Sequence, residues 1–168
     1  MSYAEHGWEI FPGGCYWPEG CDELIAAAGD AERLTHPHRV SPLWMQAMKF
    51  CGAWTKQYLG PDVSGLGSYY FSQSAGYATH LDNDYVQAIP GSFLTVWLAL
   101  ADVGNGNGGL VIHGKLIPVS KGSAIVLDGD VPHRSCSGFG PRPVCVLTYI
   151  KKGFPFRAGR EERVEVPL

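Results

Sequence analysis

The chain has 168 residues and a formal net charge of −3, with 45% hydrophobic and 17% charged residues. That length buries a core without disulfides or a structural metal, and the apolar balance excludes a disordered chain. The slight acidic excess argues against a nucleic-acid binder, and no run approaches the roughly 18 apolar residues that span a bilayer. The N-terminus, Met1–His6, has neither the basic nor the apolar region of a signal peptide. Five cysteines (Cys15, Cys21, Cys51, Cys136 and Cys145) form no C-x-x-C pair. Neither a disulfide framework nor a zinc knuckle is indicated, and a reducing cytoplasm is expected. No repeat of 20–50 residues is visible. One domain over residues 1–168 is expected, helical in about 1–60 with a β-rich core in about 65–152.

Glycine (22) and proline (12) supply about a fifth of the chain, so short segments joined by turns are expected. Gly7–Phe11 predicts a strand stopped by Pro12-Gly13-Gly14. A helix is predicted from about Pro18 to Ala28. A clearer one covers 42–59, with Ser41 as N-cap, Pro42 in its first turn and Gly60-Pro61 at its end. Trp44, Ala47, Met48, Cys51, Trp54 and Tyr58 recur every three or four residues and mark its core-facing stripe. Beyond residue 65 the pattern changes to eight β-rich runs between turns: Gly67–Gln73, Tyr77–Asp82, Tyr85–Ile89, Phe93–Val103, Leu110–His113, Leu116–Val119, Ala124–Leu127 and Val144–Lys151. Strands at this spacing predict a mainly β fold, a jelly roll with helices packed on one outer face. In 153–168, arginines balanced by glutamates predict a solvated tail.

His80 and Asp82 form an H-x-D pair inside a predicted strand, where residues two apart share a face. Together they make the beginning of a metal chelate. His133, in Gly129–Ser135, follows another predicted strand and can complete a two-histidine, one-carboxylate set, which suits non-haem Fe(II). The alternative is three unrelated polar residues at strand ends. Arg142 enters an apolar strand, which is costly unless it meets an anion; its planar fork suits a carboxylate. A surface ion pair is the alternative there. Ser135 could add a hydroxyl to the same anion. Gly109–Lys115 matches G-x-x-x-x-G-K, but Leu116 replaces the required Ser/Thr and the run reads as strand, so a P-loop is set aside. His36 and His38 flank Pro37 in what reads as a surface loop.

In order and approximate spacing these residues resemble the phytanoyl-CoA dioxygenase family of Fe(II)/2-oxoglutarate oxygenases. The resemblance runs through His80-Leu81-Asp82-Asn83, Trp97–Val103, Asn107–Leu110, Gly129–Ser135 and Arg142-Pro143-Val144, and upstream through Glu5–Gly13. It implies a double-stranded β-helix of the cupin-like kind. It implies that His80, Asp82 and His133 hold the iron and form the catalytic centre. Arg142 and Ser135 would bind the far carboxylate of 2-oxoglutarate, and Trp97 would line the cosubstrate pocket. The implied reaction uses O2 and hydroxylates a small molecule with release of succinate and CO2. Asp82 stands where related halogenases have a small residue, which favours hydroxylation. A cupin-like metal- or ligand-binding protein without turnover is the rival reading; it leaves Arg142 and Ser135 without a role. Gln73, Asn83, Asp84 and Tyr85 are expected to touch substrate. No basic cluster accompanies the motifs, so a small metabolite or amino-acid derivative is expected rather than an acyl-CoA. The chain departs from the family pattern at Val111–Leu116, where a Pro-Gly-Ser-His stretch and a long insertion are usual, and at Leu81, where glutamine is common.

Overall fold

Residues 93–99 alternate between two apolar environments, and that alternation organises the molecule. Leu94, Val96 and Leu98 point into one core; Trp97 and Ala99 point into another. Every residue of this strand is buried because both faces of its sheet are covered. The computed structural model describes residues 2–11, 16–73, 76–104 and 106–168. In chain order its elements are α1 (Tyr3–His6), β1 (Trp8–Phe11), α2 (Pro18–Ala28), β2 (Arg33–Thr35), a 3-10 turn (Pro37–Arg39), α3 (Pro42–Leu59), β3 (Val63–Phe71), α4 (Asn83–Val86), β4 (Phe93–Ala99), β5 (Gly109–Ile112), β6 (Lys115–Ile117), β7 (Ala124–Asp128), β8 (His133–Cys136), β9 (Val144–Lys151) and β10 (Val166–Pro167).

The strands form two sheets, the larger ordered β1-β7-β4-β9-β3-β10 with β2 also on β3, the smaller β6-β5-β8. All the pairings are antiparallel. This is the expected jelly roll, with α2 and α3 on the outer face of the larger sheet. Leu24 of α2 and Trp44, Met48 and Cys51 of α3 share a core with Val96, Val126 and Leu147. Helix α3 starts at Pro42, whose missing N–H is lost at no cost in the first turn. It ends at Gly60, which adopts φ +92° and donates its N–H to the Lys56 carbonyl. The buried stripe runs as expected through Cys51 and then on to Thr55 and Leu59. Trp54 and Tyr58 sit at its margin, Trp54 stacked on Phe11 and Tyr58 against Tyr3.

Several expectations are corrected. Only His80 of the segment 77–82 bridges another strand, and 83–86 is a helical turn rather than part of a strand. The Asn83 side chain causes this: its Oδ1 accepts from Ala88 N–H at 2.8 Å and its Nδ2 donates to Ala88 C=O at 3.1 Å, replacing ladder bonds. Residues 133–136 form a strand that the sequence pattern does not announce. His36 and His38 are buried, at 5% and 3% exposure, under β3. The tail is solvated as expected, with ten of residues 153–168 exposed and none buried, but it is docked on the protein. It crosses the inner face of the larger sheet, bonds through Arg157 N–H to Val86 C=O, and returns to pair with β3 as β10. Pro12, Gly13, Gly14 and Cys15 lie outside the described residues; Cys21, Cys136 and Cys145 carry free thiols. Among the described residues no helix is long and apolar enough to cross a membrane.

Candidate active site

Two sheets of a jelly roll enclose space between their inner faces, and here that space is a cavity of about 590 Å³. Its floor is the inner face of the larger sheet, including Thr95, Trp97, Leu127, Val146 and Thr148; β8 of the smaller sheet adds His133 and Ser135. His80, Asp82 and His133 meet here, one ligand atom of each within 4.8 Å of the others. The strand geometry expected for His80 and Asp82 is not what joins them. Asp82 has helical φ −63°, ψ −31°, and its side chain arrives by a turn. Both histidine Nε2 atoms lie 3.5 Å from Asp82 Oδ1.

The surrounding bonds orient all three groups. His80 Nδ1 lies 2.9 Å from Ala78 C=O, and His133 Nδ1 lies 2.9 Å from Val131 C=O. A carbonyl only accepts, so each Nδ1 carries a proton, and each ring is turned so that Nε2 is the nitrogen facing Asp82 and available to a metal. Asp82 Oδ2 accepts from Thr95 Oγ1 at 2.6 Å, which leaves Oδ1 turned to the histidines. Burial acts to raise the Asp82 carboxyl, but hydrogen bonds to His133, His80 and Thr95 outweigh it and hold it well below the usual carboxylate range. The bond to Asp82 raises His80 in turn, against the opposing effect of burial. Two imidazole nitrogens and one carboxylate oxygen converging from separate segments are a ligand set that suits Fe(II) and leaves coordination positions open.

Arg142 lines the same cavity and is 2% exposed. Its backbone N–H donates to Ser72 C=O, just before β9 begins, and its guanidinium carbon lies 5.3 Å from the Trp97 ring centre. Among the described residues, neither Nε nor Nη1 has a hydrogen-bond partner. A buried guanidinium with unfilled donors is costly, and burial lowers its pKa to about 10. Ser135, also on the wall, accepts from Tyr77 N–H at 3.2 Å, so its own hydroxyl proton is free to point elsewhere. Gln73 and Tyr85 also line the cavity. Asn83 and Asp84 do not. Asn83 is committed to Ala88 and Asp130, and Asp84 is exposed on α4.

Some cavity residues escape the sequence pattern. Thr95, hydrogen-bonded to Asp82, lies in an apolar strand where a threonine reads as core. Arg33, Glu161 and Arg163 come from β2 and the tail. The basic groups absent from the motif region are thus supplied by distant segments.

No protein-family model matches the chain, and no curated protein matches it in sequence. Its structure does have close counterparts. It is similar to the non-haem alpha-ketoglutarate-dependent epimerase SnoN of nogalamycin biosynthesis, with 15% identity and a TM-score of 0.79 over 92% of this chain and 82% of that one. It is similar to HygX from Streptomyces hygroscopicus, solved with nickel and 2-oxoglutarate bound, with 11% identity and a TM-score of 0.78 over 99% and 93%. The non-haem monooxygenase ThoJ, solved as a nickel complex, gives 18% identity and 0.79 over 99% and 82%. The chain shares their fold. At these identities the likeness carries the architecture, the double-stranded β-helix; the chemistry rests on the side chains above.

Proposed function

We propose that the chain is a cytoplasmic, single-domain Fe(II)- and 2-oxoglutarate-dependent dioxygenase of the phytanoyl-CoA dioxygenase type that hydroxylates a small molecule. The observation that carries this reading is the presence, in one cavity, of three converging side-chain donors, His80, Asp82 and His133, and a buried guanidinium with unfilled donors. The donor set fits Fe(II), and the guanidinium fits a carboxylate that the protein itself does not supply.

His80, Asp82 and His133 would hold the metal. Thr95 holds Asp82 Oδ2 so that Oδ1 stays turned to the centre. Arg142 would bind the far carboxylate of 2-oxoglutarate, and Ser135 would donate its hydroxyl proton to the same group. Trp97, whose ring centre lies 5.3 Å from the Arg142 guanidinium carbon, would limit where the cosubstrate can sit. Leu110, Leu127, Val144 and Val146 make the walls apolar and exclude water. Iron with its cosubstrate would supply the oxidation, using O2, converting 2-oxoglutarate to succinate and CO2 and placing a hydroxyl on the substrate. Tyr85 and Gln73 would face the substrate.

The test is anaerobic reconstitution with Fe(II), titration with 2-oxoglutarate, and then a substrate screen scored by succinate. Succinate formation that needs iron, 2-oxoglutarate and a substrate supports the reading. A protein that binds iron but not 2-oxoglutarate would instead be a cupin-like metal-binding protein.

A further inference from the structure

The tail builds the remaining wall of the cavity around one arginine. Arg163 is 10% exposed in its side chain. Its Nη1 donates to Tyr85 C=O and Ala158 C=O, each at 3.4 Å, and its Nη2 lies 3.4 Å from Glu161 Oε2. All three contacts are long for hydrogen bonds to a guanidinium. Gly159, at φ +67°, makes the room: a Cβ there would come within 2.7 Å of Arg163 Nη1. Across the cavity mouth, Arg33 of β2 reaches Glu161 Oε1 at 3.2 Å and lies over the Phe71 ring.

Glu161 has little capacity left. Its Oε1 accepts from Arg33, and its Oε2 accepts from Tyr69 O–H at 2.7 Å as well as from Arg163. Each guanidinium carries five N–H donors, so the surplus in this cluster is of donors, not acceptors. The formal charges agree. The ionised cavity residues are Arg33, Arg142 and Arg163 against Asp82 and Glu161. A divalent iron and a dianionic cosubstrate cancel one another, and Asp82 cancels Arg142. Arg33 and Arg163 then face Glu161 with one positive charge in excess. The Arg33 side chain is 51% exposed and partly solvated, but that of Arg163 is largely buried beside Tyr85, Val86 and Phe93, and a buried cation that shares its one counter-charge is costly. An anion from the ligand would remove that cost. Tyr77 and Tyr85 both line this cavity and are half exposed, so aromatic surface is available there to the body of such a ligand.

We propose that the substrate is a small ring-bearing acid, its carboxylate received by Arg163 and Arg33 at the tail and its body lying against Tyr77 and Tyr85. The proposal rests on the Fe(II)/2-oxoglutarate reading, which places the cosubstrate's far carboxylate on Arg142 and so leaves the second cationic site for substrate.

The experiment uses trans-cinnamate and cinnamamide, which differ in charge and little in shape. Each is titrated by calorimetry into anaerobic protein saturated with Fe(II) and 2-oxoglutarate. The acid should bind at least about tenfold more tightly than the amide. Arg163→Gln should remove that preference while the affinity for 2-oxoglutarate stays at the wild-type value. Arg33→Gln, on β2 and away from the tail turn, should reduce the preference too, and does not depend on the tail keeping its course. Equal binding of acid and amide to protein that has taken up 2-oxoglutarate overturns this proposal and leaves the oxygenase reading intact. A preference that survives both arginine variants, or that disappears in Arg142→Gln instead, also overturns it. Failure of the wild-type protein to bind 2-oxoglutarate overturns both.

Discussion

His80 and His133 hold each other through the main chain: the N–H of each donates to the carbonyl of the other, at 2.9 and 3.1 Å. Such a pair shares one sheet face with its Cα atoms about 5.5 Å apart. The two imidazoles therefore stand side by side, ring centres 4.5 Å apart, before any metal arrives. The nitrogen half of the proposed metal site is a piece of β-sheet, and the carboxylate is brought to it by the turn at Asp82.

Asp82→Ala removes the charge and the oxygen ligand while leaving that histidine pair. Iron affinity should fall at least about ten- to a hundredfold, since losses even outside the ligand shell cost that much. Succinate formation should drop to background, with the circular dichroism spectrum unchanged. Near-wild-type turnover in this variant would remove Asp82 from the ligand set.

Arg142→Ala should weaken 2-oxoglutarate binding by about 2–5 kcal/mol, the range for truncating one partner of a buried charge pair. Ser135→Ala should cost about 1 kcal/mol, the value of a single hydrogen bond. Calorimetry on the iron-loaded protein measures both. Unchanged affinity in the arginine variant would show that another group holds the carboxylate.

Thr95→Val keeps the shape of the side chain and removes the 2.6 Å bond to Asp82 Oδ2. Iron should dissociate roughly tenfold or more faster in a chelator competition, and Thr95→Ser should restore the wild-type rate. Loss of iron in both variants alike would mean that packing, and not the hydroxyl, matters at this position.

The legibility of the sequence was uneven, for physical reasons. His80, Asp82, His133 and Arg142 stood out because their order and spacing carry chemistry that an apolar strand does not need. The strands β4, β7 and β9 were legible because their side chains alternate, and both resulting faces are apolar. Strand β8 was not, because His133-Arg134-Ser135-Cys136 has no apolar alternation; its buried residues are polar groups turned to the cavity. The turn at Asn83 depends on one amide bonding both backbone groups of Ala88, which composition does not reveal. The tail was half legible. Its arginines and glutamates match a solvated segment in composition, yet Glu161 finds Arg33 and Tyr69, which no local pattern connects to it.

The buried histidines behind β3 predict an acid sensitivity separate from the metal site. The His38 backbone N–H donates to Ser68 Oγ at 3.3 Å, and the same hydroxyl is hydrogen-bonded to His38 Nδ1 at 2.6 Å. Burial, with His36 and Arg39 nearby, lowers the His38 pKa from 6.5 to about 4. The unfolded chain then takes up a proton that the folded chain refuses. This contribution is complete above pH 6.5 and is lost as the pH falls toward 4, at a cost on the order of 2–3 kcal/mol. Urea unfolding at a series of pH values should show that loss, and His38→Gln should flatten it. An identical slope in the variant would place the acid sensitivity elsewhere.

Both proposed histidine ligands are held by the carbonyl two residues before them, Ala78 for His80 and Val131 for His133. Those acceptors belong to the peptide chain and not to any side chain. A point substitution at residue 78 or 131 changes what hangs from the backbone and leaves the oxygen where it was. The choice of ring nitrogen offered to the centre is therefore insulated from mutational drift at these positions. Selection acting on the metal-facing groups would fall on the two histidines, Asp82 and Thr95; exposed Ala78 is free to vary, and Val131, 7% exposed, is constrained by its packing and not by its carbonyl.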